Sequence, residues 1–407
     1  MTKQINNITI YILMFNLFII MNGVGLIIPV MPALLETFNA GEKIYGILIA
    51  GFALAQFIFS PLAGELSDKH GRRPFIIGGL IVFGLANILL ALADSVPILF
   101  FARFLCGFGA AFVTPPVMAY VVDITTPEER GKGMGMLGAA MSLGFTIGPG
   151  IGGALSAINL VFPFYFASVA AIIASIFSYF VLPSVKPTVA IEEKPIAKRE
   201  RLFKQLARST KTSYFMFLVI AFVFSFGISN FQSTISLYLN EKFNYSPFDI
   251  SLILVIGGSC GVILQMFIIS KLFKKYGEMP IVLINLVVGS VATLLTIYVS
   301  GYLIILTVTT IFMIATTFIR PAINTLISKI AGKEQGFAAG MNNSYMNLGN
   351  IVGPLLAGTL HDWNYNSPYV FGAIVLILCF SMAYHWASRK APELMKANKL
   401  TPIKRSR

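Results

Sequence analysis

Long apolar stretches separated by short polar turns recur along almost the whole chain. They occupy residues 8–30, 44–64, 74–93, 97–121, 132–156, 161–182, 214–239, 250–272, 279–298, 302–325, 336–360 and 367–387. A helix of about 20 apolar residues is long enough to cross the hydrocarbon core of a bilayer. The pattern therefore predicts an all-α polytopic membrane protein with twelve transmembrane helices.

One long polar connection interrupts this pattern. Residues 183–213 contain Pro183, Pro187 and Pro195 together with eight basic side chains. We interpret this stretch as a basic linker between an N-terminal six-helix bundle (1–182) and a C-terminal six-helix bundle (214–387), with a basic tail at 388–407. A solvated linker is the simplest interpretation, and a surface amphipathic helix around 198–210 is compatible with it.

The two bundles are related by an internal repeat. A shift of 205 positions places residues 135–155 on residues 340–360, and Gly144, Gly148, Pro149 and Gly153 then coincide with Gly349, Gly353, Pro354 and Gly358. A shift of 206 places Gly71 on Gly277. Two homologous membrane halves are typical of transporters whose halves rock about a central site. The predicted fold is therefore a pair of pseudo-symmetric six-helix bundles.

Composition excludes a soluble protein, and the placement of charge predicts the topology. Hydrophobic residues make up 56% of the chain and charged residues 12%, with a mean hydropathy of +0.80. Of the 30 Lys and Arg, 26 fall in the tails and in the even-numbered turns between helices. By the positive-inside rule both termini are cytoplasmic. The net charge of +13 then indicates anionic lipid headgroups at the cytoplasmic face, and not nucleic acid, as the partner of the basic residues.

Several other classes of site are absent from the sequence. Cys106, Cys260 and Cys379 each lie in an apolar run and are interpreted as buried small side chains, without a disulfide or a metal. The first apolar run has no small-residue cleavage site after it, which favours a retained helix over a signal peptide. No nucleotide loop, metal-ligand cluster or catalytic triad is present, so neither a cofactor nor an enzymatic activity is predicted.

The turn GELSDKHGRRP (64–74) concentrates charge between two apolar stretches. Gly64 would allow close helix approach, and Gly71 supplies the permissive backbone that a tight turn needs. Asp68 lies at a helix end, and the basic Arg72 and Arg73 could reach a carboxylate on a neighbouring helix; the natural candidate for that carboxylate is Asp123. A solvated turn that only obeys the positive-inside rule is the alternative.

This turn resembles the signature G-x-L-x-D-[RK]-x-G-[RK]-[RK] that the major facilitator superfamily carries between its second and third helices. The stretches GVGLIIPVMP (23–32), RFLCGFGAAF (103–112) and GFTIGPGIGG (144–153) resemble motifs of the twelve-helix drug:proton antiporters in that superfamily. Within that group the chain resembles the bacterial NorA/Bmr-type efflux pumps. The resemblance covers residues 8–387. It implies that the charged turn acts as a conformational latch and that residues 144–153 form the antiporter motif of the fifth helix.

The antiporter motif has a physical basis of its own. Gly144, Gly148 and Gly152 are spaced by four and form a strip, next to Gly153, where another helix can approach closely. Pro149 removes a backbone donor and allows a bend. Generic helix packing would explain the same spacing, although its repetition in the second bundle favours a symmetric moving interface.

Two arginines lie within predicted helices, and each costs about 2.5–3.5 kcal/mol at the middle of a membrane helix. Arg103 and Arg320 are therefore expected to face the interior, unless they extend toward an interface. We predict that they line a central substrate cavity. The other predicted substrate-binding residues are Gln56, Phe145, Gln232 and Asn350.

The chain departs from NorA/Bmr-type pumps where those pumps carry carboxylates in the seventh and tenth helices. Gln232 and Thr317 stand at these places, and neither side chain can exchange a proton. None of the 17 acidic residues lies near the middle of a predicted helix, so Asp123 and Glu36 are the remaining candidates for proton coupling. Two arginines without a carboxylate should repel lipophilic cations and accept neutral, zwitterionic or anionic compounds.

The sequence therefore predicts an exporter of amphipathic, quinolone-like drugs in the bacterial cytoplasmic membrane, working as a monomer by alternating access and drug:proton antiport. An exporter or facilitator of a native metabolite, such as a sugar or a siderophore, with altered or absent proton coupling, is the alternative within transport. A membrane sensor built on a transporter fold is the alternative from another class.

Overall fold

The computed structural model describes residues 7–183, 202–331 and 335–396, and in these ranges all regular secondary structure is α-helical. The helices are α1 (Asn7–Gly25), α2 (Ile27–Thr37), α3 (Glu42–His70), α4 (Arg72–Ala91), α5 (Val96–Ile124), α6 (Pro127–Ser156), α7 (Phe162–Val181), α8 (Leu202–Ser209), α9 (Phe215–Phe243), α10 (Pro247–Tyr276), α11 (Glu278–Tyr298), α12 (Tyr302–Ala331), α13 (Gln335–Trp363) and α14 (Ser367–Lys396). Most of the predicted linker (184–201) and the end of the predicted tail (397–407) lie outside the described residues.

Eleven helices in the described ranges are long and apolar enough to cross a bilayer. The predicted membrane-spanning helical fold is thereby confirmed. The predicted segment 336–360 corresponds to α13, which has 29 residues and is long enough to cross, but its most apolar stretch falls short of those in the eleven helices. Asparagines cause the difference: they stand at positions 342, 343, 347 and 350. Polar side chains at membrane depth usually mark a functional surface.

The first predicted segment, 8–30, is wrong as a single continuous helix. It is divided at Leu26 into α1 and α2. Pro29 has no N–H to bond to the carbonyl of Gly25, and its ring would clash with that carbonyl in a straight helix. The bend is placed where Gly25 meets α6, since a Cβ on Gly25 would lie 2.7 Å from the carbonyl oxygen of Phe145.

Backbone contacts group the chain into two compact units. Unit 1 comprises residues 1–192 and 236–255, and unit 2 comprises residues 193–235 and 256–407. The C-terminal end of α9 and the first part of α10 thus belong with unit 1. The division of the chain at the linker into residues 1–182 and 214–387 remains a prediction from the repeat.

Each unit has its own apolar core. In unit 1, α1 packs on α6 and α7, α3 packs on α5, and α4 packs on α5 and α7, with Leu17, Phe83 and Phe164 fully buried among them. In unit 2, α11 packs on α12 and α14 around buried Phe217 and Leu286. The short linker helix α8 lies within the predicted helix 198–210. It docks on α13, because the Ser209 and Tyr345 hydroxyls lie 3.0 Å apart and the Arg208 guanidinium lies 4.7 Å over the Phe337 ring.

The backbone repeats the pattern found in the sequence. Asn39 (φ 51°) and Asn244 (φ 52°) are the non-glycine residues with positive φ in the described ranges, and they stand 205 positions apart. Gly71 (φ 94°) and Gly277 (φ 80°) stand 206 positions apart. Asn and Gly tolerate the left-handed region better than other residues. The same turns therefore end corresponding helices in the two halves.

Candidate functional site

In unit 1, the antiporter-motif glycines bring α6 into direct contact with the backbone of α1. A Cβ on Gly148 would lie 2.7 Å from the carbonyl oxygen of Asn22, and Cβ atoms on Gly144 and Gly152 would collide with the carbonyl oxygens of Phe18 and Leu26. Backbones approach this closely only where no side chain separates them. The predicted glycine strip is therefore one side of a tight helix crossing.

Unit 2 contains the same crossing, formed by α13 and α9. A Cβ on Gly349 would lie 2.5 Å from the carbonyl oxygen of Phe222, and one on Gly353 would lie 2.9 Å from the carbonyl oxygen of Phe226. The contacted carbonyls stand 204 positions after those of Phe18 and Asn22. Helix pairs related by the repeat thus cross in the same way in each unit.

The motif also has a second small-residue face, which the sequence did not reveal. A Cβ on Gly153 would lie 2.8 Å from the carbonyl oxygen of Pro247, and one on Gly150 would lie 2.8 Å from a Val255 methyl carbon. Both contacts place α6 against the first turns of α10. The motif helix is therefore enclosed by backbone on two sides, at Gly148 by α1 and at Gly153 by α10.

The charged turn brings together the residues that were expected to meet. Arg72 begins α4, and its Nε donates to the Asp123 carboxylate at the end of α5 over 3.1 Å. The Arg72 Nη1 also donates to the Ser67 hydroxyl at 3.0 Å and to the Asp68 carboxylate. The Arg72 and Asp123 side chains are 9% and 8% exposed, so the ion pair is largely shielded from water. We name Arg72, Asp68 and Asp123 the unit 1 clasp.

Other residues of the turn behave differently. Arg73 donates to the Tyr179 carbonyl oxygen and lies 5.1 Å over the Tyr179 ring, so it anchors the turn to α7. Gly71 has a φ of 94°, as the turn prediction required. A Cβ on Gly64 would meet open space, so the close helix approach expected at Gly64 is wrong for this conformation.

A second ion pair, which the sequence analysis missed, links α11 to α12 at the corresponding end of unit 2. Lys329 near the end of α12 donates to the Glu278 carboxylate at the start of α11 over 2.6 Å. Glu278 is 8% exposed and Lys329 is 32% exposed. A signal was available, since the shift of 206 that places Gly71 on Gly277 also places Arg72 on Glu278 and Asp123 on Lys329.

The two predicted cavity arginines lie in different surroundings. Arg103 on α5 is 2% exposed, with its guanidinium 4.8 Å over the Phe52 ring of α3. Within the described ranges its Nε has no hydrogen-bond partner. Arg320 on α12 is exposed, and no contact with another described side chain neutralises it. Only Arg320 is accessible in this conformation.

The remaining predicted substrate-binding residues are half-buried: Gln56 on α3, Phe145 on α6, Gln232 on α9 and Asn350 on α13. Asn350 is held by the Ser229 hydroxyl, which donates to its Oδ1 at 2.8 Å. Between α13 and α12, the Asn342 amide donates to the Asn324 Oδ1 at 2.8 Å. Asn324 and Asn342 were not predicted, although the polar composition of α13 was visible in the sequence.

The positions that depart from the NorA/Bmr pattern carry no charge. The Thr317 hydroxyl donates to the Met313 carbonyl oxygen at 2.7 Å and faces Gly261 of α10, where a Cβ would lie 2.8 Å from its Oγ1.

Glu36, the second predicted candidate for proton coupling, is exposed at the end of α2. Of the three cysteines, Cys106 and Cys379 are buried as expected, whereas Cys260 is only half-buried.

A family model supplies the decisive comparison. The model of the Major Facilitator Superfamily matches residues 13–314 and, in an overlapping second match, residues 217–406. The chain belongs to the Major Facilitator Superfamily. The resemblance that the motifs indicated is confirmed, and the chain is a multi-pass membrane protein of this superfamily.

Individual relatives cover nearly the whole chain. Multidrug resistance protein 2 of Bacillus subtilis (strain 168) is 40% identical over 396 residues, which are 96% of this chain and 98% of that protein. Quinolone resistance protein NorA of Staphylococcus aureus is 35% identical over 365 residues, 89% of this chain and 92% of NorA. Among solved structures, a mutant of the nucleoside transporter NupG gives a TM-score of 0.77 at 12% identity, covering 93% of this chain and 99% of that one. At that identity the likeness supports the superfamily fold alone.

Proposed function

We propose that this chain is a multidrug efflux transporter that exports amphipathic drugs by alternating access, in exchange for protons. The proposal is supported by relatives that are 35–40% identical over most of the chain and whose names describe multidrug and quinolone resistance. It is also supported by the glycine crossing that repeats in both units, because alternating access requires corresponding helices to move in corresponding ways.

The proposed cargo rests on the exposure of the Arg320 side chain. A charge in the second half of a membrane helix is tolerated where it faces water or a partner, and Arg320 is exposed with no neutralising neighbour among the described residues. The uncharged Gln232 and Thr317 leave that positive potential unopposed. The cargo is therefore neutral, zwitterionic or anionic, as a fluoroquinolone is, and lipophilic cations are poor substrates.

Proton exchange would act through the unit 1 clasp. The Asp123 carboxylate is buried against Arg72, so that its protonation would release Arg72 and open the clasp. Glu36, exposed at the opposite end of unit 1, is a second candidate carrier. The absence of a carboxylate at positions 232 and 317 also favours the alternative of a facilitator for a native metabolite that runs without proton exchange.

The distribution of basic residues supports the cellular arrangement that we propose. With both termini in the cytoplasm, 26 of 30 basic residues face the cytoplasm and the anionic headgroups of the bacterial inner membrane. The transporter works there as a monomer, because each chain carries both halves of the repeat.

Proteoliposomes test cargo and coupling together. Drug uptake into inside-out vesicles and the internal pH are measured with a fluoroquinolone and with ethidium, for the wild type, Asp123→Asn and Arg103→Ala. We expect fluoroquinolone-dependent proton release from the vesicles, loss of that release in Asp123→Asn, and weak ethidium transport. Strong ethidium transport would refute the argument from Arg320. Drug transport without a pH change would favour the uncoupled alternative.

A further inference from the structure

The two units carry the same ion pair with opposite polarity. In unit 1 the cation, Arg72, begins α4 and the anion, Asp123, ends α5; in unit 2 the anion, Glu278, begins α11 and the cation, Lys329, ends α12. Both pairs join residues 51 positions apart, and each follows a glycine with positive φ. The repeat has therefore kept the contact and exchanged the charges.

The third member of the unit 1 clasp is inverted as well. The shift of 206 places Asp68 on Lys274, which stands in the last turn of α10, four positions before Glu278. Unit 1 thus has the order anion, cation, anion, and unit 2 has the order cation, anion, cation. Three coincident inversions at one end of each unit indicate a difference in what the two ion pairs do.

Helix dipoles distinguish the two arrangements. Cations are stabilised at the C-terminal ends of helices and anions at the N-terminal ends. Glu278 at the start of α11 and Lys329 in the last turn of α12 agree with this preference, as does Lys274. Arg72 at the start of α4 and Asp123 at the end of α5 oppose it, as does Asp68 at the end of α3. The helix termini therefore reinforce the unit 2 pair and weaken the unit 1 pair.

The two pairs also differ in the alternatives open to the cation. Arg72 already contacts Asp68 and Ser67 in addition to Asp123, so it retains a carboxylate partner when Asp123 leaves. For Lys329, Glu278 is the carboxylate partner within the part of the chain that the structure describes. Because it lies between two carboxylates, Arg72 is not left as an unpaired buried cation when it separates from Asp123, and this lowers the cost of opening the pair.

We propose that Glu278 and Lys329 form a permanent strap that keeps α11 on α12 throughout transport, whereas Arg72 and Asp123 form the contact that breaks and reforms, with Arg72 retained by Asp68. Glu278 and Lys329 are then positioning residues. The inference rests on the proposed transport function, and its test includes a measurement that needs no transport.

Reversible crosslinking is the first test. In a background without Cys106, Cys260 and Cys379, the variants Arg72→Cys/Asp123→Cys and Glu278→Cys/Lys329→Cys are treated with bis-methanethiosulfonate reagents of graded length, and drug transport is measured before treatment, after treatment and after reduction. We expect the Glu278→Cys/Lys329→Cys crosslink to leave transport within about twofold of the untreated background, because a fixed strap can be covalent. We expect the Arg72→Cys/Asp123→Cys crosslink to stop transport until it is reduced.

The inference is overturned if the unit 2 crosslink arrests transport reversibly or if the unit 1 crosslink is tolerated. Failure of the unsubstituted background to transport any drug would instead count against the proposed function.

Amide hydrogen exchange on the purified, unsubstituted protein compares the opening of the two ion pairs directly, even if a cysteine variant is inactive. Residues 120–124 at the end of α5 correspond by the repeat to residues 326–330 at the end of α12. A contact that opens should let its helix end exchange at least about tenfold faster than one that stays closed. We expect faster exchange at residues 120–124 than at residues 326–330 in the wild type. Equal exchange at the two helix ends in the wild type would overturn the inference.

Discussion

Gly148 of α6 packs directly on the carbonyl oxygen of Asn22 in α1, so closely that a Cβ at position 148 would lie 2.7 Å from that oxygen. The obstacle is backbone, which cannot move aside as a flexible side chain can. Replacing Gly148 by Ala must therefore separate α6 from α1 or deform one of them.

We expect Gly148→Ala to lower the free energy of unfolding by about 1–3 kcal/mol, the usual cost of overpacking, and to slow drug transport at the same time. Thermal unfolding in detergent and uptake into vesicles measure the two effects. Gly138→Ala is the matched control on the same helix, because a Cβ there meets open space and Ala has the better helix propensity. Equal losses in the two variants would mean that the crossing does not constrain α6.

Removing one partner of the unit 1 clasp should be severe. Arg72→Gln leaves the Asp123 carboxylate 8% exposed without its cation, and breaking a buried pair costs about 3–5 kcal/mol. We expect a large fall in the unfolding midpoint and loss of transport. The double variant Arg72→Gln/Asp123→Asn should recover most of the stability without transport, because no charge is then left buried.

The exposed ion pair in the same turn provides the comparison. Lys69 and Glu65 lie 2.7 Å apart, but their side chains are 46% and 47% exposed. Such pairs contribute about 0–1 kcal/mol. Lys69→Gln should therefore leave stability and transport nearly unchanged; an effect as large as that of Arg72→Gln would show that net charge in the turn matters more than the buried contact.

Arg320→Gln tests whether Arg320 binds the carboxylate of a zwitterionic substrate. A charge-assisted hydrogen bond to a carboxylate contributes about 1.5–3 kcal/mol, so Arg320→Gln should raise the KM for a zwitterionic fluoroquinolone at least about tenfold. A neutral phenicol should be transported as before, and Arg320→Lys should retain part of the fluoroquinolone affinity. A KM unchanged in Arg320→Gln would remove Arg320 from the binding site.

Arg103→Met tests whether the buried charge of Arg103 is needed for the stability of the fold. Arg103 is 2% exposed and lies on the Phe52 ring, and Met keeps the packing volume while removing the buried charge. We expect thermal stability equal to or above that of the wild type, since replacing a buried charge by a well-packed apolar side chain is often neutral or stabilising. A loss of several kcal/mol would indicate that the buried guanidinium has a charged or polar partner on which the fold depends.

Restoring a carboxylate at Gln232 should change the selectivity. Gln232→Glu places an anion in α9 in a half-buried position, where it would attract a lipophilic cation and could take up a proton. We expect ethidium export to rise at least about tenfold over the wild type and to become dependent on pH. Gln205→Glu, on the linker helix α8, is the control and should not change selectivity. No gain in cation export would show that position 232 does not face the cargo.

Features that follow from a local pattern or from the internal repeat were predictable from the sequence. Apolar runs longer than a bilayer crossing predicted the helical membrane fold, and the repeat predicted that Gly144 and Gly349 would occupy corresponding places. The motif GELSDKHGRRP predicted both the tight turn at Gly71 and the contact of a basic residue with Asp123. Each of these depends on residues close together in sequence or on a regular shift between two similar segments.

Other features depend on neighbours that no local pattern names. The bend at Leu26, the open space around Gly64, the second face of α6 at Gly153 and the pairing of Glu278 with Lys329 are all set by which helix lies opposite. Arg103 and Arg320 look alike in the sequence, since both are single charges within apolar runs, yet one is enclosed and the other is accessible.

The sequence by itself determined the class of the protein, the order of its apolar segments and the duplication that relates its halves, because hydrophobicity and repetition are properties of the chain alone. The tertiary structure decided which backbone each glycine touches, which carboxylate each cation pairs with and which arginine is accessible. Such contacts depend on distances between helices that are far apart in sequence, and burial then determines whether the same charged side chain is locked in place or available to a substrate.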